Sequence, residues 1–241
     1  MISSYLSLSY TDTIDILNKL RQSNLVISYN PITRDLHCIK AIGSFEFILN
    51  IPLVQHALNP NLLDGIISGE FNKKANYLIL LIRAGYAALG TIEEGVITHH
   101  KVIRKYMVRK RQGKAQLTYL ALKGKSRGGG RLRLELTQEF YQEIRKKLHE
   151  WREIINFSDL IFFQCSPRLW DGLFKIKSKF PIFTSKDRRL RKISITTYKP
   201  SFKELRRVNY VLSKGSLLIK SEEKISSKAK LFLVLDSSLF R

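Results

Sequence analysis

The chain has 241 residues, of which 44% are hydrophobic and 10% aromatic, so its composition excludes global disorder and allows an ordinary buried core. Lysine and arginine number 42 against 20 aspartate and glutamate residues, which gives a formal net charge of +22. This excess adds self-repulsion to the folded state and is typical of proteins that bind a polyanion. Nucleic acid is favoured over a membrane surface, because neither end carries a long basic amphipathic helix.

The sequence predicts a cytoplasmic protein without a membrane anchor. No apolar run approaches the roughly 20 residues that span a bilayer. The first residues lack the basic and apolar regions of a signal peptide. Cys38 and Cys165 lie far apart in apolar, strand-like segments, which favours two buried free thiols in a reducing compartment.

Residues 1–68 predict a small α/β unit of unknown role. "YLSLSY" is strand-like, and a helix follows through "IDILNKLRQ", with Asp12 or Thr13 as its cap. Three strands come next and precede a second helix over "VQHALNPNLLDGIIS"; they are "NLVISYNP", "DLHCIKAI" and "SFEFILNI". The polar stretch "SGEFNKKAN" then predicts a domain boundary.

A second unit opens with a hairpin. Its first arm is the apolar run "YLILLIRAGYAALGTI", "EEG" forms the turn, and "VITHHKVIRKYMV" returns as a long strand. A basic loop and the segment "LTYLAL" follow. The glycine-rich basic stretch "KGKSRGGGR" is then predicted to be a flexible loop.

The rest of the chain alternates helices and strands. A helix is predicted from Thr137, with apolar residues at steps of three and four: Phe140, Ile144, Leu148, Trp151 and Ile154. "DLIFFQC" predicts a buried strand that pairs in parallel through this helix, and "ISITTY" predicts another after "KDRRLRK". Ser201 and Glu204 fit the capping box of a last helix, with Leu205, Val208 and Leu212 on its inner face.

This order of elements predicts an α/β fold in which a mixed sheet is flanked by helices. The expected domains are the small N-terminal α/β unit at 1–68, a larger domain at 72–214, and a C-terminal strand and tail at 215–241.

Metal-dependent and nucleophilic chemistry find little support in the sequence. "GKS" at Gly124 lacks the earlier glycine of a phosphate loop, because that position is Tyr119. No Cys–His spacing resembles a zinc site, and His99 and His100 are neighbours that point to opposite faces of a strand. We therefore expect no metal and no cofactor.

The loop "YMVRKRQGKAQLT" combines a dense positive charge with a glutamine amide. The amide of Gln116 offers both a donor and an acceptor, so it can orient a water or hydroxyl and hydrogen-bond a developing charge. Gly113 permits backbone conformations that are closed to other residues. Taken alone, this G-x-x-Q spacing is also compatible with a solvated turn.

Five blocks in this order resemble the Vms-one-like release factor (VLRF) domain, which is related to the catalytic middle domain of archaeal and eukaryotic peptide release factors. They cover roughly residues 72–214 and include "KYMVRKRQGKAQ", "SRGGGRLR", "LHEWREIINFSDLIFFQCSP" and "DRRLRKISITTYKPSFKEL". The resemblance implies a release-factor middle-domain fold of the RNase H-like type. It also implies that a GxxQ loop frees nascent chains from peptidyl-tRNA on obstructed ribosomes.

Carried onto this sequence, the resemblance implies that Gln116, Gly113 and Arg109 are catalytic. Two positions depart from the family pattern: Lys114 replaces a second glycine, and Leu134 replaces a second arginine. The basic side chains predicted to contact RNA are Lys110, Arg111, Lys114, Lys123, Lys125, Arg127, Arg131, Arg133, Arg188, Arg189 and Arg191.

The implied partners are the large subunit of the ribosome, its rRNA and peptidyl-tRNA, with no membrane and no small-molecule cofactor. Two chemical routes stay open, because either water could hydrolyse the ester or a ribose hydroxyl could cut the tRNA near its 3′ end. A non-catalytic RNA- or ribosome-binding protein of the same fold is the alternative. A magnesium-dependent nuclease is disfavoured by the poverty of acidic residues on the predicted strands.

Overall fold

The computed structural model describes residues 2–21, 26–30, 35–39, 45–50, 52, 75–105 and 128–221. The helix predicted over 54–68, the loop that contains Gln116, the segment "LTYLAL" and the late strand of the tail lie outside these ranges.

The described residues form ten strands and five helices. The strands are β1 Ile2–Leu8, β2 Val26–Asn30, β3 Asp35–Ile39, β4 Phe45–Asn50, β5 Tyr77–Arg83, β6 Tyr86–Glu93, β7 Val96–Arg104, β8 Leu160–Gln164, β9 Leu190–Lys192 and β10 Gly215–Ser221. The helices are α1 Tyr10–Arg21, α2 Gly128–Glu150, α3 Arg152–Asn156, α4 Pro167–Lys175 and α5 Phe202–Leu212. Among these described helices, none is long and apolar enough to cross a membrane.

The chain divides into two compact units. The terminal unit draws on Met1–Ala75 and Asn209–Arg241, and the central unit on Asn76–Val208. The predicted segmentation kept 215–241 apart from 1–68, but strand β10 pairs antiparallel with both β1 and β4. The difference arises because strand pairing depends on hydrogen bonds between distant segments, whereas a boundary predicted from sequence follows local composition.

The terminal unit is a five-stranded antiparallel sheet in the order β1-β10-β4-β3-β2, with α1 beside it. Helix α1 is capped by Ser9, not by the predicted Asp12 or Thr13. The Asp12 N–H donates to Ser9 Oγ at 3.1 Å, and the Ser9 N–H donates to Asp12 Oδ2 at 2.9 Å. This reciprocal pair satisfies two amide donors at the start of the helix. The buried apolar side chains of this unit include Leu8, Ile16, Leu17, Leu20, Leu49, Leu217 and Ile219.

The central unit contains a five-stranded mixed sheet in the order β7-β6-β5-β8-β9. Strand β5 pairs antiparallel with β6 and parallel with β8, which confirms both the mixed sheet and the predicted parallel pair. Helix α2 joins these two strands and covers one face, where Phe140, Ile144 and Leu148 are fully buried. On the other face, Leu205 of α5 lies over Gly90. The predicted α/β class, a mixed sheet flanked by helices, is therefore confirmed.

Three elements differ from the sequence prediction. The apolar run 77–92 is two strands, because a two-residue turn at Ala84 and Gly85 divides it and Gly85 has a φ of 76° that favours glycine. Helix α2 begins at Gly128, so the predicted glycine-rich loop is helical from there, since the sequence "RLRLEL" continues the helix towards its start. Helix α4 was not predicted.

The strand predicted at "ISITTY" was also wrong. The strand found, β9, covers only Leu190–Lys192, and its last backbone contact joins the Ile193 N–H to the Phe163 carbonyl at 2.8 Å. Strand β8 ends one residue after Phe163, so the residues that follow Ile193 have no partner strand there. A period-two pattern by itself does not supply one.

Helix α5 begins as predicted. The Glu204 N–H donates to Ser201 Oγ at 3.1 Å, and Leu205, Val208 and Leu212 are fully buried. The second half of the capping box differs, because the Glu204 carboxylate accepts from the Tyr198 N–H at 2.8 Å. The carboxylate thereby fixes the segment that precedes the helix.

The close packing of α4 against α2 predicts that Gly172 does not tolerate alanine. The added carbon would lie 2.6 Å from the hydroxyl of the buried Tyr141 side chain. Helix propensity alone favours alanine by about 1 kcal/mol, but overpacking opposes it. We expect Gly172→Ala to lower the free energy of unfolding, measured by urea denaturation, by about 1–3 kcal/mol. The control Asp171→Ala removes an exposed ion pair with Lys175 and should change stability by less than about 1 kcal/mol. A stabilised Gly172→Ala protein would show that this contact is absent.

Candidate nucleic-acid interface

The directions of the strands place four carboxyl ends at one edge of the central sheet. Strands β5, β8 and β9 are parallel, and β7 runs with β5 because both are antiparallel to β6. We call this edge the carboxyl-end edge. In open α/β sheets, ligands bind in the crevice outside the carboxyl ends of the strands.

Polar and basic side chains end each of these four strands. Arg83 ends β5, Arg104 ends β7, Gln164 ends β8 and Lys192 ends β9. Arg83, Arg104 and Lys192 are exposed, and within the described ranges none of the three forms an ion pair or a side-chain hydrogen bond. The sequence prediction missed all three. Each of them is the basic last residue of its strand, but their proximity depends on strand pairing.

A cleft of about 540 Å³ opens at this edge. It is lined by Arg83, Gln164 and the segment 192–197, which includes the hydroxyls of Thr196 and Thr197. Aspartate and glutamate are absent from its described lining. The cleft therefore offers two cations together with neutral hydrogen-bonding groups, a combination that suits the phosphates and ribose hydroxyls of RNA.

The chain leaves this same edge to enter the predicted catalytic loop. Strand β7 ends at Arg104, and residues 106–127, which contain Gly113 and Gln116, lie outside the described ranges. Lys105, directly after β7, is held by three contacts. Its N–H donates to the Gly85 carbonyl at 2.9 Å, and its ammonium lies 3.3 Å from Glu139 and 3.7 Å from Glu143 of α2. These contacts anchor the chain at the end of β7 to both the β5–β6 turn and helix α2.

Helix α2 returns from the loop and runs antiparallel to β7. Glu139 contacts Lys105 at the carboxyl-end edge, whereas Trp151, just after the helix, contacts the His99 ring in the middle of β7 at 6.1 Å between centroids. The helical residues before Glu139 therefore extend about 16 Å beyond Lys105, at about 1.5 Å per residue. Arg131 and Arg133 lie on this extension by their backbone positions. For these two arginines the structure describes the backbone only.

Of the predicted RNA-binding arginines of "KDRRLRK", Arg188 and Arg189 precede β9, and Arg191 is the middle residue of that strand, paired with Phe162. The Arg189 carbonyl accepts from the N–H of Ile161, near the start of β8. The Arg189 guanidinium binds both carboxylate oxygens of Asp187 at 3.1 and 2.9 Å. It also donates to the carbonyls of Ile155 at 2.6 Å and Ser158 at 3.1 Å. Arg189 thus joins the end of α3 to the start of β9, and its hydrogen bonds to Asp187 hold the pKa of that carboxyl below its ordinary value, against the opposing effect of burial.

Arg188 and Arg191 are more accessible than Arg189. Arg188 is exposed, and its side chain has no hydrogen bond or ion pair to another residue in the described part of the chain. Arg191 is also exposed, and its Nη1 donates to the carbonyls of Arg188 at 2.6 Å and Leu190 at 2.9 Å. Of the three predicted contacts in this segment, Arg188 keeps the freest side chain.

Cys165 follows β8 as a buried free thiol, and burial raises its pKa to about 12. A thiol of that pKa is a poor nucleophile near neutral pH. Among the described residues, no three histidine, cysteine, aspartate or glutamate side chains gather as a metal site would require. His99 and His100 contact Trp151 and Phe202 respectively, on opposite faces of the sheet, as the strand periodicity predicts.

The model of one protein family matches residues 77–218, more than half of the chain; its description is the Bacteroidetes VLRF1 release factor. The chain belongs to this VLRF1 release factor family. The matched segment begins with β5 and ends within β10, so it contains the carboxyl-end edge, the cleft and residues 106–127 with Gln116. The membership confirms the resemblance found in the sequence between residues 72 and 214.

Two further proteins are similar to this VLRF1 chain. The mouse protein "tRNA endonuclease ANKZF1" is 28% identical over 177 residues, which cover 72% of this chain and 23% of the mouse protein. The chain thus spans about a quarter of the length of that curated relative. A solved structure, the "Vms1 mitochondrial localization core", has a TM-score of 0.45 and 17% identity, over 79% of this chain and 77% of that one.

The contacts of Arg189 predict that its role is structural. Arg189→Ala removes the guanidinium hydrogen bonds to the Ile155 and Ser158 carbonyls and the ion pair with Asp187, so we expect the free energy of unfolding to fall by about 2–3 kcal/mol. The matched control Arg188→Ala removes an exposed neighbour and should change stability by less than about 0.5 kcal/mol. Urea denaturation of both variants provides the measurement. Equal stability of the two variants would contradict the assignment.

Proposed function

We propose that this VLRF1 chain frees nascent peptide from peptidyl-tRNA on obstructed ribosomes, with the predicted loop "YMVRKRQGKAQLT" as its catalytic element. The observation that carries the proposal is the match to a release factor family over residues 77–218, which include that loop. The origin of the loop at a basic edge of the sheet supports it. The net charge of +22 supports an RNA-rich partner such as the large ribosomal subunit, with its rRNA and bound tRNA.

In this proposal, Gln116 lies against the ester that joins the peptide to tRNA. Its amide orients the attacking hydroxyl or water and donates a hydrogen bond to the oxyanion as charge develops. Glutamine cannot remove a proton near pH 7, so its contribution is orientation and electrostatic stabilisation, not general base catalysis. Gly113 gives the loop its backbone freedom, and Arg109 supports it with positive charge. Lys114, in place of a second glycine, narrows the conformations open to the loop.

The basic residues divide into three groups in this proposal. Those of the loop hold the acceptor end of the tRNA: Lys110, Arg111, Lys114, Lys123, Lys125 and Arg127. Arg131 and Arg133 extend this contact along the start of α2, and Arg188 and Arg191 contribute a separate contact just before and within β9. Arg189 is removed from the set, because its guanidinium is engaged by Asp187 and two carbonyl groups.

The cleft at the carboxyl-end edge binds the RNA backbone next to the loop. Arg83 and Lys192 neutralise phosphates there, while Gln164, Thr196 and Thr197 hydrogen-bond to phosphate or ribose oxygens. A lysine or arginine that neutralises a phosphate releases counterions condensed on the RNA. The affinity for RNA therefore falls as the salt concentration rises.

Cleavage of the tRNA near its 3′ end is the second candidate function. It is favoured by the similarity to the mouse protein whose name describes a tRNA endonuclease. In that route, a ribose 2′-hydroxyl attacks the neighbouring phosphorus, the P–O bond to the next ribose 5′ oxygen breaks, and that oxygen takes up a proton. The same loop could orient either the hydroxyl or a water, so the two routes share Gln116 and differ in the bond that breaks.

Replacement of Gln116 tests the catalytic proposal. Loss of its amide removes the orienting group and the oxyanion donor, so we expect Gln116→Ala to slow peptide release from stalled ribosome–nascent-chain complexes by about 10²–10³-fold. The control Gln138→Ala removes an exposed glutamine of α2 and should release peptide at the wild-type rate. Should Gln116→Ala release peptide as fast as wild type, the chain is an RNA- or ribosome-binding protein without this activity. Sequencing of the tRNA 3′ ends after the reaction separates the routes, because an intact CCA end excludes endonucleolytic cleavage.

The cleft is tested by neutral replacements of similar length. We expect Arg83→Gln and Lys192→Gln each to weaken tRNA binding severalfold, and to reduce the log–log salt slope by about 0.7–0.9 per lost phosphate contact. Fluorescence anisotropy of labelled tRNA at several salt concentrations measures both quantities. The matched control Lys146→Gln removes one positive charge from an exposed site on α2, away from the edge. An equal effect of all three replacements would indicate that only net charge matters and that the cleft is not a binding site.

A further inference from the structure

A group of exposed rings and positive charges lies on the side of the central sheet that α5 covers. We call it the aromatic–basic surface and define it by Tyr86, His100, Tyr198, Lys199, Phe202, Lys203, Arg206 and Arg207. All of these residues belong to the central unit. Tyr198 is 67% exposed and Phe202 40% exposed, so both rings are accessible from solvent.

Each ring of this surface is held from one side by a cation or an imidazole. The His100 ring stacks on Phe202 at 4.2 Å between centroids. The Arg207 guanidinium lies 5.0 Å from the centre of the Tyr198 ring, and the Lys199 ammonium lies 4.2 Å from that of Tyr86. Because one face of Tyr198 and of Phe202 is supported while much of each ring remains exposed, both rings present a fixed platform for a further flat group.

The Tyr198 platform is fixed by an ion pair between the buried Glu204 carboxylate and the partly exposed Arg207 guanidinium. Glu204 accepts from Arg207 Nε at 3.0 Å and Nη2 at 2.7 Å, and Arg207 Nη2 also donates to the Thr196 carbonyl at 2.7 Å. The same carboxylate accepts from the Tyr198 N–H at 2.8 Å. The backbone and the ring of Tyr198 are thus positioned by one pair of side chains, and this pair uses the single acidic group of the segment 196–207.

The charge around the platforms is positive. Lys199, Lys203 and Arg206 are exposed, and within the described part of the chain none of them forms an ion pair. Glu204, the acid of this segment, is 4% exposed and already neutralises Arg207. Positive charge that follows a backbone, combined with exposed rings that stack on bases, is the pattern by which proteins bind single-stranded nucleic acid. An acidic protein partner would use the charges but has no need of two supported, open ring faces.

We propose that the aromatic–basic surface binds single-stranded RNA by stacking unpaired bases on Tyr198 and Phe202, while Lys199, Lys203 and Arg206 contact the neighbouring phosphates. This adds a second RNA contact to the proposed function, on a face of the sheet separate from α2. It does not depend on chemistry at Gln116. Since every base has a stacking face, the surface has little sequence preference but a strict requirement for unpaired bases.

The test uses the full chain and a labelled single-stranded oligouridylate of about ten nucleotides, within the size range of such sites. Tyr198→Leu and Phe202→Leu keep an apolar side chain but remove the ring, so each should weaken binding about tenfold in fluorescence anisotropy. The conservative Tyr198→Phe keeps the ring and should bind as wild type does. Phe157→Leu is the matched control, because Phe157 is 82% exposed but lies outside the surface. Thermal unfolding confirms that the variants fold.

Two further ligands separate stacking from charge. Inorganic polyphosphate and an RNA duplex should bind Tyr198→Leu and Phe202→Leu as well as they bind wild type, because neither offers unpaired bases. Lys203→Gln with Arg206→Gln should weaken the binding of all three ligands. Unchanged affinity of both leucine variants for the oligouridylate would overturn the proposal and leave the surface as a contact for a protein. The assay contains no ester and no tRNA, so this outcome is independent of whether the chain releases peptide.

Discussion

The parallel pairing of β5 with β8 is the constraint on which the central unit depends. These strands are more than 70 residues apart, and parallel strands require a long crossover, which here contains residues 106–127 and helix α2. With β6 and β7 added as antiparallel neighbours, the carboxyl ends of β5, β7, β8 and β9 have to lie together. One strand pairing therefore determines both where β7 ends and why Arg83 and Lys192 line the same cleft.

Much of the central fold follows from local patterns that tertiary packing agrees with. The inner residues of α2 and the Ser201 cap of α5 are predictable because helical periodicity and capping act within a few residues. The turn at Ala84 and Gly85 could not be predicted in the same way, since both residues sit inside an apolar run. The alternating segment "ISITTY" that follows β9 is not a strand, because β8 ends at Gln164 and leaves this segment without a partner strand. The sequence prediction of a strand was wrong where the strand would need a partner strand from a distant part of the chain.

The site shows the same division between local and distant information. Composition predicts a polyanionic partner, and the order of motifs predicts the family. Charge alone, however, does not separate Arg189, which binds two carbonyl groups and Asp187, from its exposed neighbour Arg188. Nor does sequence indicate that Arg83, Arg104 and Lys192 share an edge. Packing decides whether a positive side chain faces solvent or hydrogen-bonds to buried acceptors. Packing also decides which positive side chains lie close enough to bind one ligand together.

The position of β10 between β1 and β4 makes the central unit an insertion within the terminal one. The terminal sheet takes strands from both sides of the insertion, so the strand that pairs with both β1 and β4 is synthesised only after the entire central unit. During translation, the central unit can fold while β1 to β4 still lack that strand. The family segment also ends inside β10, so a fragment cut at its limits would carry Leu217 without either of the strands that pair with it. The terminal sheet can therefore be completed only after the central unit has been synthesised.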